Sequence, residues 1–263
     1  SIGRLFVAGI LPGILLSSLF ILTIYLRCVH EPSLGPRGPQ KSMKEKVSSL
    51  PGTIEPFLIF IFVMGGLVDG WFTPTEAGGV GALGAVVLGI LTRNLGWRAF
   101  WTAVGDTTRV VAMLFMVIAG AMVFGRFLAV SRIPTALAEW AIGLQVSPGL
   151  ILTLVLVIYV VGGCIMDALS FLLVKISVFF PMIQCLGYDP IWFGVIIVVL
   201  LEMGAITPPV GINAYVIKGV AGNVPLETIF KGIFPFLLAL IVAVIILMIF
   251  PQIATFLPSF TSY

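Results

Sequence analysis

Charged residues are scarce in this sequence. Asp, Glu, Lys and Arg together make up 10% of the 263 residues, whereas hydrophobic residues make up 60%. A water-soluble domain carries roughly 25% charged residues because its surface must be solvated. So few charges exclude a soluble globular protein, and a net charge of +3 gives no indication of nucleic-acid binding. The composition therefore predicts a protein embedded in the lipid bilayer.

Histidine and cysteine are also rare, and their spacing matches no metal site. The chain has one histidine and an odd number of scattered cysteines, which argues against a disulfide framework: Cys28, Cys164 and Cys185. The sequence has no Ser/His or Cys/His pairing and no HExxH motif, and Asp167 and Glu202 lack a Gly-x-Gly-Asp context. We therefore expect no enzyme activity and no cofactor.

Long apolar runs divide the chain into spanning segments, each of which needs roughly 20 apolar residues. Residues 5–26 meet this requirement, so we assign 1–26 to a first spanning helix. The polar stretch 27–55 is rich in cations, which place it in the cytoplasm by the positive-inside rule: Arg27, Arg37, Lys41, Lys44 and Lys46.

Three apolar segments and one amphipathic segment follow, at 56–72, 75–92, 107–128 and 131–146. The second begins with Thr73-Pro74-Thr75-Glu76, which is typical of a helix start because Thr caps the helix and Glu faces its positive end. The last segment has one apolar helical stripe, formed by Ile133, Leu137, Trp140 and Leu144. It is either an amphipathic helix lying along the membrane or an ordinary connecting helix.

Residues 147–222 depart from the simple spanning pattern. Two apolar arms of about 12 to 14 residues surround Gly162-Gly163-Cys164-Ile165-Met166-Asp167-Ala168-Leu169-Ser170, and each arm is too short to cross a bilayer. This pattern predicts a re-entrant hairpin whose tip lies near the midplane. A continuous helix kinked at the glycines is the alternative.

A second interruption follows at Gly204-Ala205-Ile206-Thr207-Pro208-Pro209-Val210-Gly211-Ile212-Asn213. Two consecutive prolines remove two backbone donors, so carbonyls one turn earlier need other partners. Broken helices of this kind form cation and anion sites in secondary transporters, which favours an ion site over a plain proline kink.

Three charges lie within the apolar segments at Asp167, Lys175 and Glu202. Such charges are costly in lipid, so we expect them to face protein or water. A structural Lys175–Glu202 pair is possible. Asp167, at the hairpin tip, is the better functional candidate, and residues 223–263 provide a C-terminal spanning helix.

Four motifs occur together, in order and over nearly the whole chain: Thr73-Pro74-Thr75-Glu76-Ala77, Met166-Asp167-Ala168, Gly187-Tyr188-Asp189-Pro190 with Phe193-Gly194-Val195, and Thr207-Pro208-Pro209-Val210-Gly211-Ile212-Asn213. Together they resemble the large membrane subunit of tripartite ATP-independent periplasmic (TRAP) transporters. Each motif alone is weak, but the combination is specific.

The resemblance implies an all-α, elevator-type transporter of the bacterial or archaeal cytoplasmic membrane, in which sodium drives uptake of an organic acid. A small membrane subunit and a periplasmic substrate-binding protein would be its partners. Residues 1–26 would be the last helix of a first inverted repeat. The rest of that repeat, with its own hairpin and sodium site, would lie outside this sequence in the remaining N-terminal half of the large subunit. Residues 56–146 would supply scaffold helices and an amphipathic arm, and 147–222 the hairpin and broken helix of the transport domain.

The resemblance also implies a sodium site built from Gly163, Gly204, Thr207 and Val210. Sodium prefers hard oxygens, which backbone carbonyls and one Thr hydroxyl supply. The residues expected on the substrate side, or in support of the site, are Asp167, Ser170, Pro208, Pro209 and Asn213. Sodium would be the coupling ion, with no cofactor.

Two alternatives stay open at this point. One is a sodium/anion symporter that works without a binding protein. The other is a non-catalytic structural membrane subunit, which does not explain the glycine hairpin and the proline break together.

Overall fold

The computed structural model describes residues 1–36, 38, 42–43, 51–143, 146–166, 168–222 and 224–260. All regular secondary structure in these residues is helical, and five helical segments are long and apolar enough to cross a membrane. The α-helices, in chain order, are α1 Ile2–Ala8, α2 Ile10–His30, α3 Pro51–Val68, α4 Pro74–Leu91, α5 Trp97–Ser131, α6 Ile133–Gly143, α7 Pro148–Gly163, α8 Ala168–Cys185, α9 Pro190–Ile206, α10 Ile212–Ala221, α11 Leu226–Ile249 and α12 Gln252–Thr255. Short 3₁₀ helices cover Pro32–Leu34 and Leu257–Phe260.

The first spanning segment is longer than predicted. Only Gly9 separates α1 from α2, and its backbone is itself right-handed helical, so Ile2–His30 forms one apolar unit. The last turn of α2 includes the first residues of the predicted loop 27–55, and α3 includes the last residues of that loop from 51 onward. Four of the cations that predict a cytoplasmic loop lie outside the described residues: Arg37, Lys41, Lys44 and Lys46.

Helices α3 and α4 pack through small residues. A Cβ atom added to Gly81 would lie 3.6 Å from Val63, and one added to Gly84 would lie equally close to Ile59. The predicted cap of α4 is confirmed, since the Thr73 amide donates to the Glu76 carboxylate at 2.7 Å and the Glu76 amide donates to the Thr73 hydroxyl. This reciprocal pair satisfies two amide groups at the helix start.

Helix α5 extends well beyond the predicted span of 107–128. It begins at Trp97, so the polar residues between Trp97 and the predicted start at 107 are part of the helix. Thr108 donates its hydroxyl hydrogen to the Val104 carbonyl at 2.8 Å, and Arg109 pairs with Asp106 at 3.9 Å. After Arg132, whose φ of 56° ends the helix, α6 follows and packs against α8.

The core lies around α9, which packs against α7, α8 and α11. Tyr159, Phe193 and Ile196 are fully buried there. The indole N–H of Trp192 donates to the Leu247 carbonyl at 2.7 Å and ties α9 to α11. This core holds the end of α7 next to the end of α9, where the predicted ion ligands lie.

Candidate functional site

The chain reverses direction between α7 and α8. The rings of Tyr159 and Phe179 lie 5.7 Å apart, although 20 residues separate them in the sequence. In one continuous helix this separation would be about 30 Å. A single kinked helix is therefore excluded, and α7 and α8 form a hairpin.

One arm of this hairpin is longer than predicted. Helix α7 has 16 residues, of which the last two are Gly162 and Gly163 of the predicted tip, so its apolar arm has the expected length. Helix α8 has 18 residues, which exceeds the predicted 12 to 14. Helix α8 is long and apolar enough to cross a bilayer by itself, since its apolar character continues through Phe180-Pro181 to Cys185. The position of the hairpin tip near the midplane stays a prediction.

The second predicted interruption is a true break in the helix. Helix α9 ends at Ile206, and Thr207 is extended, with φ −93° and ψ 138°. Gly211 is left-handed, with φ 54°, before α10 begins at Ile212. In a simple kink the backbone would stay helical through the bend, so the non-helical backbone at Thr207 and Gly211 excludes the kink alternative. Left-handed backbone at Gly211 favours glycine because it lacks a Cβ atom.

Two glycines bring the hairpin and the break into direct contact. A Cβ atom added to Gly204 would lie 2.6 Å from the carbonyl carbon of Gly163. A Cβ atom added to Gly163 would lie 3.3 Å from the Cα atom of Gly204. The two backbones thus touch, and a side chain at either position would separate them.

A backbone hydrogen bond forms a second link. The amide of Val210 donates to the carbonyl of Cys164 at 3.3 Å. Thr207 lies beside the Cys164 thiol and donates its own hydroxyl hydrogen to the Met203 carbonyl. Gly163, Gly204, Thr207 and Val210, the four predicted sodium ligands, therefore gather at one place. We call residues 162–164 together with 204–211 the junction.

The prolines leave carbonyls at the junction without their usual helical donors. Pro208 and Pro209 stand where the amides that bond the carbonyls of Gly204 and Ala205 would be. The Gly204 carbonyl accepts instead from the Thr207 amide at 3.2 Å. The amide of Val210, which would bond Ile206 in a continuous helix, donates to the hairpin. The carbonyls of Ala205 and Ile206 thus lack their regular partners.

The helix ends give the junction its electrostatic character. Helices α7 and α9 both end here, and a helix C-terminus carries roughly half a negative charge. Two C-termini side by side favour a cation. Helices α8 and α10 begin on the other side of the same turns, and their N-termini favour an anion. No three His, Cys, Asp or Glu side chains cluster among the described residues, so a cation here would be held by carbonyl and hydroxyl oxygens.

The other predicted site residues that the structure describes lie in the junction or at the beginning of the helices that follow it. Ser170 is half-buried in the first turn of α8, and Asn213 is exposed in the first turn of α10. Pro208 and Pro209 are joined by a cis bond and are exposed. Pro208 lines a cavity of about 250 Å³ together with Phe230 of α11. Asp167 lies outside the described residues.

The possible Lys175–Glu202 pair is not formed. The Lys175 ammonium lies 5.8 Å from the centre of the Phe171 ring, and Glu202 is exposed on α9. The ammonium is attracted to the negative face of the ring, which partly replaces a carboxylate partner. A prediction that considers only opposite charges overlooks this contact between Lys175 and Phe171.

Sequence reasoning also missed the aromatic side chains that support the hairpin. A Cβ atom added to Gly162 would overlap the ring of Phe171, so this glycine makes room for that ring. The Phe171 ring packs edge-on against Tyr159, with ring centres 5.6 Å apart. Nine residues separate Gly162 from Phe171, and nothing in the local sequence indicates their contact.

The sequence matches a known protein family over most of its length. The family described as "Tripartite ATP-independent periplasmic transporter, DctM component" matches residues 1–253. The chain is 34% identical over 260 residues to the C4-dicarboxylate TRAP transporter large permease protein DctM of Pseudomonas aeruginosa, covering 98% of this chain and 60% of the relative. It is 31% identical over 259 residues to the sialic acid TRAP transporter large permease protein SiaM of Vibrio cholerae, with the same coverage of both.

A third relative is the 2,3-diketo-L-gulonate TRAP transporter large permease protein YiaN of Escherichia coli. It is 28% identical over 253 residues, which cover 96% of this chain and 59% of the relative. The chain thus spans about 60% of the length of these curated relatives.

Proposed function

This chain belongs to the DctM-component family of tripartite ATP-independent periplasmic transporters, and from that membership we propose that it takes part in sodium-coupled uptake of an organic acid. It is a multi-pass integral protein of the bacterial inner membrane. The proposal gives the junction the role of a sodium site and gives the protein a transport function rather than an enzymatic one.

The contact between the hairpin and the broken helix carries this proposal. It places two helix C-termini, the Thr207 side chain and the carbonyls released by the prolines in one small region. Sodium is a hard cation that such oxygens bind. The proposed ligands are carbonyl or hydroxyl oxygens of Gly163, Gly204, Thr207 and Val210.

The substrate class follows from the family and from the opposite helix ends. Relatives are named for C4-dicarboxylates, sialic acid and 2,3-diketo-L-gulonate, which are all organic acids. The starts of α8 and α10 carry partial positive charge and would face the carboxylate. Ser170 and Asn213 lie in those first turns. We give these two residues, together with Asp167, Pro208 and Pro209, the proposed role on the substrate side or in support of the site.

The proposed mechanism moves the hairpin and the broken helix together as an elevator. The partners would be a small membrane subunit, a periplasmic substrate-binding protein and an N-terminal half of the large subunit. The names of the relatives include TRAP transporter and large permease protein, which favours this mechanism over a symporter without a binding protein. A purely structural subunit would have no use for the released carbonyls.

The proposal is tested by the thermal stability of the purified complete transporter in sodium chloride and in choline chloride at equal ionic strength. Binding to the folded state alone adds about 2.7 kcal/mol at 100 times the dissociation constant. We expect a sodium-specific rise in the unfolding temperature that Thr207→Ala reduces. Thr153→Ala is the matched control, because Thr153 on α7 makes the same type of bond, to the Gly149 carbonyl at 2.8 Å, outside the junction.

Uptake assays complete the test. Gly163→Leu would separate the two backbones at the junction, so we expect it to abolish transport of the acid. Equal stability in the two salts, or unchanged sodium dependence of uptake in Thr207→Ala, would contradict the sodium site. Normal uptake by Gly163→Leu would contradict the role of the hairpin contact.

A further inference from the structure

An apolar cleft of about 530 Å³ lies between α4 and α5. The two helices are joined by the short turn of residues 92–96, yet they make almost no direct contact. Ala82 and Ala85 of α4 and Phe100, Ala103 and Val111 of α5 line the space between them. A gap of this size between neighbouring helices in lipid must be filled, because the walls otherwise lose their van der Waals contacts.

The walls of the cleft carry no charged side chain, and their polar side chains are those of Thr107 and Thr108. Most of the lining side chains are apolar, and the Thr108 hydroxyl donates to the Val104 carbonyl of its own helix. The alanines leave room near the backbone of both helices. The occupant is therefore apolar along the length of the cleft.

The depth of the cleft matches one leaflet of a bilayer. Its lining runs from Phe100 to Val111, which corresponds to about 16 Å of helix. On the other wall it reaches Ala82, near the middle of the 18-residue helix α4. The hydrocarbon core is about 30 Å thick, so the cleft ends near the midplane. A partner helix would need a groove along the whole span, whereas a lipid acyl chain occupies one leaflet.

The open end of the cleft carries aromatic rings and positive charge. Trp97 stacks on Phe100 at 6.2 Å, and Trp101 packs edge-on against Trp97 at 5.7 Å. Both tryptophans are more than half exposed, as expected of side chains at the membrane interface. Arg93 and Arg98 are exposed in the same stretch, at the end of α4 and the beginning of α5.

The charges at this end are not neutralised along α5. Its acidic residue Asp106 is paired with Arg109 on the same helix at 3.9 Å. Among the residues that the structure describes, neither Arg93 nor Arg98 has an ion-pair partner, so both guanidinium groups can bind an anion at the headgroup level. Basic sites next to clefts between membrane helices are a recognised setting for anionic lipid headgroups.

We propose that this cleft binds one acyl chain of an anionic phospholipid, whose phosphate is held at the open end by Arg93 and Arg98. The lipid fills the space between α4 and α5 and connects two helices that barely touch. The proposal is independent of the sodium site, because it rests on residues far along the chain from the junction.

Native mass spectrometry of the delipidated transporter tests the proposal, with added dioleoyl phosphatidylglycerol or dioleoyl phosphatidylcholine. We expect preferential binding of phosphatidylglycerol, since each arginine near the surface contributes about fivefold. The double variant Arg93→Gln, Arg98→Gln is expected to lose more than tenfold of that preference. Arg109→Gln is the control, because this exposed arginine on α5 is already paired with Asp106.

A second pair of variants tests the cleft itself. Ala103→Phe fills the cleft and is expected to prevent binding of one phosphatidylglycerol molecule. Ala112→Phe adds the same ring to the exposed surface of α5 outside the lining and should leave binding unchanged. A photoreactive phosphatidylglycerol with a diazirine in its acyl chain should label residues 82–111 in the wild type.

Three results would overturn the proposal. Ala103→Phe with unchanged thermal stability and full lipid binding would mean that the lipid lies elsewhere. Labelling confined to peptides outside 82–111 would mean the same. A photoreactive amino acid at Ala85 that crosslinks to a polypeptide and not to lipid would mean that a protein helix fills the cleft.

Discussion

Two pairs of helices in this protein are both apolar enough to lie in a membrane, but they pack in opposite ways. At the junction, α7 and α9 touch backbone to backbone and bury Tyr159 and Ile196 completely. Between α4 and α5 there is almost no contact, and on α5 Phe115 is 67% and Met116 is 78% exposed. The more apolar pair, α7 and α9, is the one that packs closely, whereas α4 and α5 carry more polar and charged residues.

The difference shows what drives helix association in this molecule. Lipid is as apolar as a leucine side chain, so close fit and hydrogen bonds decide which helices pack. At the junction the fit comes from Gly163 on Gly204 and from Phe171 on Gly162. On α5 the large side chains face outward and the alanines line a cleft. The packed pair is suited to an ion site, whereas the open pair is suited to contact with lipid.

The largest effect expected from this comparison is that of removing one phenylalanine from each region. Phe171 is 3% exposed and packs on Gly162 and Tyr159, so Phe171→Ala is expected to cost about 3–5 kcal/mol of stability. Phe115→Ala, at an exposed position of α5, is expected to change stability by less than about 0.5 kcal/mol. Thermal unfolding of both purified variants measures the difference.

Similar losses in the two variants would show that Phe115 is packed in the assembled protein, against its exposure on α5. A normal unfolding temperature for Phe171→Ala would show that the hairpin does not depend on this ring.

A smaller effect is expected from adding one methyl group to a glycine in each region. The new Cβ atom of Gly204→Ala would overlap backbone atoms of Gly163, which cannot rotate away, so we expect a loss of about 1–3 kcal/mol and impaired uptake. A Cβ atom added to Gly120 on α5 would have no neighbouring atom within 4 Å, so Gly120→Ala should be neutral or stabilise the helix by up to about 1 kcal/mol. Unfolding temperature and initial uptake rate are the measurements.

The stability of the Gly120 variant also tests whether α5 is open around this residue. A marked destabilisation by Gly120→Ala in the complete transporter would reveal a close helix contact on α5. Unchanged stability of Gly204→Ala would contradict the backbone contact at the junction.

The sequence predicts those parts of the fold that depend on local chemistry. The break after Ile206 follows from two prolines, the reversal near Gly163 follows from Gly-Gly, and the start of α4 follows from its capping residues. Helix length is predicted less well, because the expected span at 107–128 rests on apolar residues alone. Helix α5 continues through Asp106 and Arg109, whose side chains pair with each other.

The contacts that assemble the candidate site are harder to predict. The four proposed sodium ligands follow from a family resemblance, and their meeting depends on packing between segments about 40 residues apart in the sequence. The bond from Val210 to Cys164 joins two backbone groups, which every residue except proline possesses. The local sequence therefore does not indicate which backbone amide and which carbonyl form a hydrogen bond between distant segments. For the same reason opposite charge suggests Glu202 as a partner of Lys175, whereas the actual neighbour is an aromatic ring.

The smallest effect is expected at the start of α4, where the stabilising contacts are local. Thr73→Ala removes the hydroxyl that accepts from the Glu76 amide at 3.3 Å, and loss of such a cap costs about 1 kcal/mol. Because α4 packs mainly on α3, and neither helix packs closely on α7 or α9, the loss should stay confined to the first turn and leave the sodium response of the junction unchanged. Faster hydrogen exchange at residues 76 and 77 would show the local effect, and Thr73→Ser should retain normal exchange. Weaker sodium stabilisation in Thr73→Ala would instead mean that the open and packed regions are energetically coupled, since an exposed cap has no direct contact through which to act on the junction.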